Sequence, residues 1–265
     1  LIISAQKPSL SYEVSPAGWT NGSVTVYLTA SDPDSGIEGI YNASDVSVAG
    51  SGAYQFTTAE NGSWRFCAKD FEGNVSDVVI AEVVGIDSTS PEHPTLSVDS
   101  SDWSKTPVDF TITAAADDAG PSPVALQFRL NGGAWQLYSG AGEVSEEGVS
   151  TLEARALDGA GNASDITEAA TVRFDSLAPD LSLSSTAHLN PAGSATVNVT
   201  VSDSGSGVNT VKYASGSQDI AYFETGAGEV LTGSSFETSV GGTYTVYASD
   251  VLGNSSVKQI TVNTY

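Results

Sequence analysis

TYTVYASDVLGN, Thr243 to Asn254, occurs in the chain in three versions, the others being SWRFCAKDFEGN at Ser63 to Asn74 and STLEARALDGAGN at Ser150 to Asn162. In each, apolar residues alternate along a strand with one buried face, and the strand runs into Asp-x-x-Gly-Asn. That turn suits its residues: the Gly takes positive φ and the Asx side chains bond the turn backbone. Asp70, Asp158 and Asp250 lie 88 and 92 residues apart. Self-similarity at a fixed spacing identifies the folding unit, and nearly ninety residues are enough to bury a core.

Working outward from these strands predicts about seven strands in the first unit. A first strand around Ser9 to Val14 precedes SVTVYLTASD, in which Val24, Val26, Leu28 and Ala30 alternate with polar residues. Short strands follow in GIEGIYN and from Asp45 to Val48, then AYQFTT, the repeat strand, and a last strand near Val78 to Val84. The second unit has VDFTITAAADDAG and VALQFRLNGGAWQLY in the same order, with Asn131-Gly132-Gly133 as a hairpin signal. The third has SATVNVTVSDSGSG, VKYASGSQDIAYF and VKQITVNTY. The connections GIDSTSP and RFDSLAP both read Asp-Ser-x-x-Pro from Asp87 and Asp175, which puts the units at 1–86, 87–174 and 175–265. No segment sustains a helical period, so almost no helix is expected.

Thirty-two acidic residues against nine basic ones give a net charge of −23. Such a surface repels phosphate backbones and anionic lipid and favours solubility or cation binding, so nucleic acid and membranes are poor partners. No apolar run approaches the roughly 18 residues of a membrane helix, no cleavable leader opens the chain and no Met starts it, as expected for a piece of something longer. Cys67 is the single cysteine, so no disulfide forms within the chain and packing must supply the stability. Seven Asn-x-Ser/Thr triplets, at Asn21, Asn42, Asn61, Asn74, Asn162, Asn198 and Asn254, read as turn chemistry more readily than as glycan acceptors.

WTNGSVTVYLTASDPDSGI with ENGSWRFCAKDFEGN, FRLNGGAWQLYSG with EEGVSTLEARALDGAGN, and VKYASGSQDIAYF with GGTYTVYASDVLGN resemble the bacterial immunoglobulin-like repeats of large secreted and wall-attached proteins. The third unit departs from the pattern at LNPAGSATV, which lacks the tryptophan present at Trp19 and Trp103. The resemblance implies an all-β chain of three tandem immunoglobulin-like β-sandwiches in an extended rod, on the order of 110 Å long at about 3.4 Å per strand residue. It implies a non-enzymatic, monomeric, extracellular stalk or spacer, secreted or attached to a cell wall, in an adhesin or a multidomain glycosidase. Its partners would be neighbouring domains of the same chain. The opposing class is an adhesin module that binds a glycan or a host surface protein.

Chemistry is sparse. No Gly-x-Ser-x-Gly elbow, His-Glu-x-x-His helix or phosphate loop is present, and His93 and His188 have no metal-pair spacing. Paired carboxylates for glycoside hydrolysis need a cleft that a short-looped sandwich does not build. Trp19, Trp103 and Trp135 with Tyr138 read either as a sugar-stacking platform or as core and junction packing. Lys212 and Lys258 sit on strands and point outward, away from any internal cross-link. In the immunoglobulin topology the turns after strands B and F share the end at which the chain enters, so linker, B-turn and F-turn aspartates converge. These sets are Asp87, Asp117 or Asp118, and Asp158 in the second unit, and Asp175, Asp203 and Asp250 in the third. The first has Asp32, Asp34 and Asp70 but Ile3 in place of the linker acid, so its set is incomplete. Oxygen ligands of this kind suit calcium, and the competing reading is that each Asp only caps its turn. Aligned on the repeat, Cys67 matches Arg155 and Tyr247 on the outward face. Maleimide should therefore label it in the folded protein, and labelling that appears only in denaturant would show the strand register to be wrong.

Overall fold

The computed structural model describes residues 6–114, 124–189 and 192–264, so Ile3, Asp117 and Asp118 lie outside the described residues. Within these, nearly all regular structure is strand. The first stretch of chain forms β1 (Ser9–Ser15), β2 (Val24–Ser31), β3 (Ile37–Asn42), β4 (Ser47–Ala49), β5 (Ala53–Thr58), β6 (Gly62–Asp70) and β7 (Val79–Val83). They make two antiparallel sheets, ordered β1-β2-β5 and β4-β3-β6-β7. The faces meet where alternation requires: Val24, Val26 and Leu28 of β2 pack with Ile40, Phe66, Ala68, Ala81 and Val83.

The same order recurs twice. β8 (Thr95–Val98), β9 (Trp103–Ser104), β10 (Val108–Thr113), β11 (Ala125–Leu130), β12 (Gln136–Leu137), β13 (Gly142–Val144), β14 (Gly148–Leu157) and β15 (Ala170–Phe174) form the sheets β13-β10-β8 and β12-β11-β14-β15-β9. β16 (Asp180–Leu189), β17 (Ala192–Ser202), β18 (Val208–Ser215), the helix α1 (Ile220–Glu224), β19 (Glu229–Val230), β20 (Ser235–Thr238), β21 (Gly242–Asp250) and β22 (Ser255–Val262) form β16-β17-β20 and β19-β18-β21-β22. This is the immunoglobulin-like sandwich, in the arrangement where β4, β12 and β19 each join the sheet of the repeat strand, with β9 as an added edge strand in the second. The described residues also divide into two compact units, one within Leu1–Thr95, Thr113–Gln127 and Ala154–Thr167, the other within Leu96–Ile112, Phe128–Glu153 and Glu168–Tyr265. Both draw on the middle pair of sheets.

The repeat strands face as the alternation implies. Leu152, Ala154 and Ala156 in β14, and Tyr244, Val246 and Ala248 in β21, are buried, while Cys67 lies half-buried on the other face of β6. β21 adds something the pattern did not announce, because its outward face is buried too. Helix α1, capped by Asp219 Oδ1 accepting from the Tyr222 amide, lays Phe223 parallel to Tyr247 with ring centroids 5.1 Å apart. Period two placed Tyr247 on the correct side, but an inserted helix covers it.

Aromatic residues serve packing in several places. Phe110 is buried against the rings of Phe128 and Tyr138, and the Arg129 guanidinium lies 4.6 Å from the centroid of Trp135. Trp103 pairs in parallel with Arg173 at the edge of its sheet, and Trp19 borders a cleft of about 200 Å³ with Val14 and Val84. Trp19, Trp103, Trp135 and Tyr138 thus have different local settings: a cleft, a sheet edge, a guanidinium contact and packing on a buried ring. Gly142 is required by Phe110, since a Cβ there would sit 2.1 Å from the Phe110 Cζ. Gly142→Ala is expected to destabilise its sandwich by about 1–3 kcal/mol through overpacking, read as a lower first melting transition; an unchanged transition would show that Phe110 relocates freely.

Candidate metal centre

Each repeat turn is built around its aspartate. Asp158 Oδ1 accepts from the amides of Ala160 (2.9 Å) and Asn162 (2.7 Å), and Asp250 Oδ1 accepts from the Asn254 amide (2.8 Å). The second carboxylate oxygen takes the Asn side chain: Asn74 Nδ2 on Asp70 (2.7 Å), Asn162 Nδ2 on Asp158 (2.7 Å), Asn254 Nδ2 on Asp250 (2.6 Å). Gly73, Gly161 and Gly253 have φ of +88°, +97° and +81°, the left-handed values that make glycine necessary in all three turns.

The same asparagines hold the connections. Asn162 Nδ2 also donates to the Asp87 carbonyl (2.9 Å), and Asn254 Nδ2 to the Asp175 carbonyl (3.1 Å). On the other side, the Asp87 amide donates to the Thr20 carbonyl (3.0 Å) and the Asp175 amide to the Ser104 carbonyl (2.9 Å). Ahead of Asp87, the Asn61 side chain bonds both the amide and the carbonyl of Ile86. Each linker aspartate is therefore gripped through its own peptide groups from before and after. Sequence reading assigned these Asx residues to their turns and missed the second partner, because a side-chain amide has one more hydrogen than the turn uses.

Asp175, Asp203 and Asp250 come together, with one carboxylate oxygen of each lying within 4.8 Å of the others. Asp175 and Asp250 are buried and Asp203 is half-buried. Asp203 Oδ1 caps its own turn through the amides of Gly205 and Gly207, while Asp175 accepts from the amides of Leu177 and Ser206. Gly205 makes room for this, since a Cβ there would lie 2.2 Å from the Asp175 Cγ. Burial pushes the Asp175 carboxyl up, but the Ser206 amide and hydroxyl, the Leu177 amide and Asp250 outweigh it and hold the group below the ordinary carboxylate range.

The other two sets differ. In the second, Asp87 and Asp158 are buried and Asp87 Oδ2 has no hydrogen-bond partner among the described residues, while Asp117 and Asp118 lie outside them. In the first, Asp32 Oδ1 accepts from the amides of Asp34, Ser35 and Gly36, and Asp34 itself is exposed. No third carboxylate joins Asp32 and Asp70 among the described residues. Asp34 occupies the position in the turn that Gly205 holds in the third repeat. The Ser35 amide lowers the Asp32 carboxyl; burial raises that of Asp70, but Asn74, Ser35 and Glu72 bring it below its usual value.

The donor set fits a hard cation. It consists of carboxylate oxygens with the Ser206 hydroxyl beside Asp175, and Gly205 leaves the room they need. The existing hydrogen bonds fit turn capping as well, and the two roles use different lone pairs of the same oxygens.

Neither a protein-family profile nor a curated protein sequence matches the chain. Among solved structures it is similar to the Clostridium thermocellum CbhA fibronectin(III)-like modules, at 14% identity over 62% of this chain and 93% of that one, with a TM-score of 0.34. It is also similar to a tetra-tandem repeat in the extending region of a large adhesion protein, at 20% identity over 97% of this chain and 74% of that one, with a TM-score of 0.26. The fold stands on the strand pairings themselves.

Two outcomes follow from this geometry. Asn162→Ala and Asn254→Ala each strand a buried carboxylate oxygen and a linker carbonyl, and each should cost about 1–3 kcal/mol in denaturant unfolding; no loss would mean that water replaces the amide without penalty. Because the folded values of Asp32, Asp70 and Asp175 are lowered, their stabilisation is complete above the unfolded carboxyl value of about 3.9 and is lost as pH falls below it. Melting followed from about pH 6 to pH 2 should fall less steeply for Asp175→Asn than for wild type; parallel curves would contradict the assignment to Asp175.

Proposed function

We propose that the chain is a non-catalytic structural module, three sandwiches divided at 1–86, 87–174 and 175–265, that acts as a spacer or stalk in an extracellular bacterial surface or secreted protein. The observation that supports this reading best is the double grip on Asp87 and Asp175. A hydrogen-bonded linker residue loses the φ/ψ freedom that would let neighbouring modules swing, and a spacer needs that stiffness. No helix among the described residues is long and apolar enough to cross a membrane.

Calcium at Asp175, Asp203 and Asp250 is part of the same proposal, with a second site at Asp87, Asp158 and Asp117 or Asp118. Bound calcium would neutralise carboxylates that otherwise repel one another and would tie the linker carboxylate to both turns of the module it enters. Extracellular sites bind calcium at about 10⁻⁴ to 10⁻³ M. With a dissociation constant near 10⁻⁴ M, roughly 2 mM calcium stabilises the site by about 1.8 kcal/mol.

The experiment is melting and small-angle scattering with calcium and with chelator on wild type, Asp175→Ala and Gly205→Ala. Wild type should melt higher in calcium and keep the larger maximum dimension, with both effects reduced in the two variants to what the Asp87 site alone supplies, in the second because its new methyl displaces the Asp175 carboxylate. Identical melting and dimensions throughout would leave the aspartates as turn residues.

A further inference from the structure

The third repeat contains a feature that a spacer does not require. Between β18 and β19 the chain makes α1 and the turn Thr225 to Gly228, in which Gly226 and Gly228 have φ of +92° and +85°. A Cβ at Gly228 would meet the Phe223 ring at 2.8 Å, so the loop is fitted closely to the helix. It borders an open cleft of about 600 Å³ lined by Tyr213, Tyr222, Phe236 and Tyr244, with Glu229 and Glu237 among its other residues. Ser215 pairs with Tyr244 at this end of the β18 and β21 ladder, whereas Val208 pairs with Asp250 at the other, so the cleft lies at the opposite end of the sheet from the aspartate cluster.

The lining has a definite chemistry. Tyr213 stacks on Phe236 with centroids 3.9 Å apart and planes 10° from parallel, and its hydroxyl donates to Glu229 Oε2 at 2.6 Å. The Tyr244 hydroxyl donates to the Val240 carbonyl (3.0 Å) beside Thr238. Two carboxylates and three phenol rings are among the lining residues, and no lysine or arginine is. Anionic ligands are disfavoured there. A cation on an apolar stem is favoured twice, by charge-assisted hydrogen bonds to Glu229 and Glu237 and by aromatic walls that attract cations and cover methylenes. The net charge of −23 adds a field that draws such a group inward.

We propose that this cleft binds an alkylammonium group, the side chain of a lysine presented by a partner protein being the form it fits. The site is independent of the calcium reading, since none of its residues belongs to the aspartate cluster.

The test is a titration of the whole chain with Nα-acetyl-lysine N-methylamide, followed by chemical shifts of the Tyr222 and Phe236 rings. The Nζ-acetylated probe and a neutral disaccharide serve as controls. Saturable shifts with the ammonium probe alone, weakened by salt, are expected. Glu237→Gln, which breaks no hydrogen bond of the folded chain described above, should weaken binding about tenfold, as should Glu229→Gln, while Asp175→Ala should leave it unchanged. Equal binding of the acetylated probe or the sugar, no saturable response to the ammonium probe, or wild-type affinity in both glutamate variants would overturn the proposal.

Discussion

The buried aspartate of the Asp-x-x-Gly-Asn turn is the constraint on which the rest depends. Asp70, Asp158 and Asp250 close β6, β14 and β21 at a point where the backbone must reverse inside the fold, out of reach of water. A carboxylate in that position is costly unless every lone pair that matters is answered, and the turn answers with its own amides and the asparagine side chain. Glycine follows from geometry, since only a residue tolerant of positive φ lets the amide four places on return to the carboxylate. Asparagine follows from valence. One hydrogen of its amide satisfies the aspartate and leaves the other for the incoming linker.

Local turn chemistry and the order of modules are thereby joined. The linker aspartate is placed by a carbonyl from the strand edge it leaves and by the asparagine of the turn it reaches, which seats its side chain beside that turn. In the third repeat this brings three carboxylates together, and Gly205 keeps the space open. In the first, Asp34 stands at the glycine position and no linker carboxylate is among the described residues. The first and third turns therefore differ by one side chain at the glycine position and by one acid.

Much of this was legible in the sequence because period two and a repeated turn are strong signals. The inward faces of β6, β14 and β21, the hairpin at Asn131-Gly132, and the meeting of Asp175 with Asp203 and Asp250 are each readable from spacing once the immunoglobulin order is assumed. Three features were not. The helix α1 is five residues long, too short to show a helical period, and it declares itself only by burying Phe223 and Tyr247. The local settings of Trp19, Trp103, Trp135 and Tyr138 depend on which sheet edge each strand occupies, which alternation does not encode. The second bond of Asn162 and Asn254 depends on a chain segment more than seventy residues away.

The central claim is that Asp87 and Asp175 are fixed through their peptide groups. Native-state hydrogen exchange of those two amides tests it most directly. Protection comparable to that of the amides of β7 and β15 just before them is expected, even in chelator, because Thr20 and Ser104 accept those hydrogens. Exchange as fast as in an unstructured linker, with the flanking strands still protected, would show that the modules are joined by a free hinge.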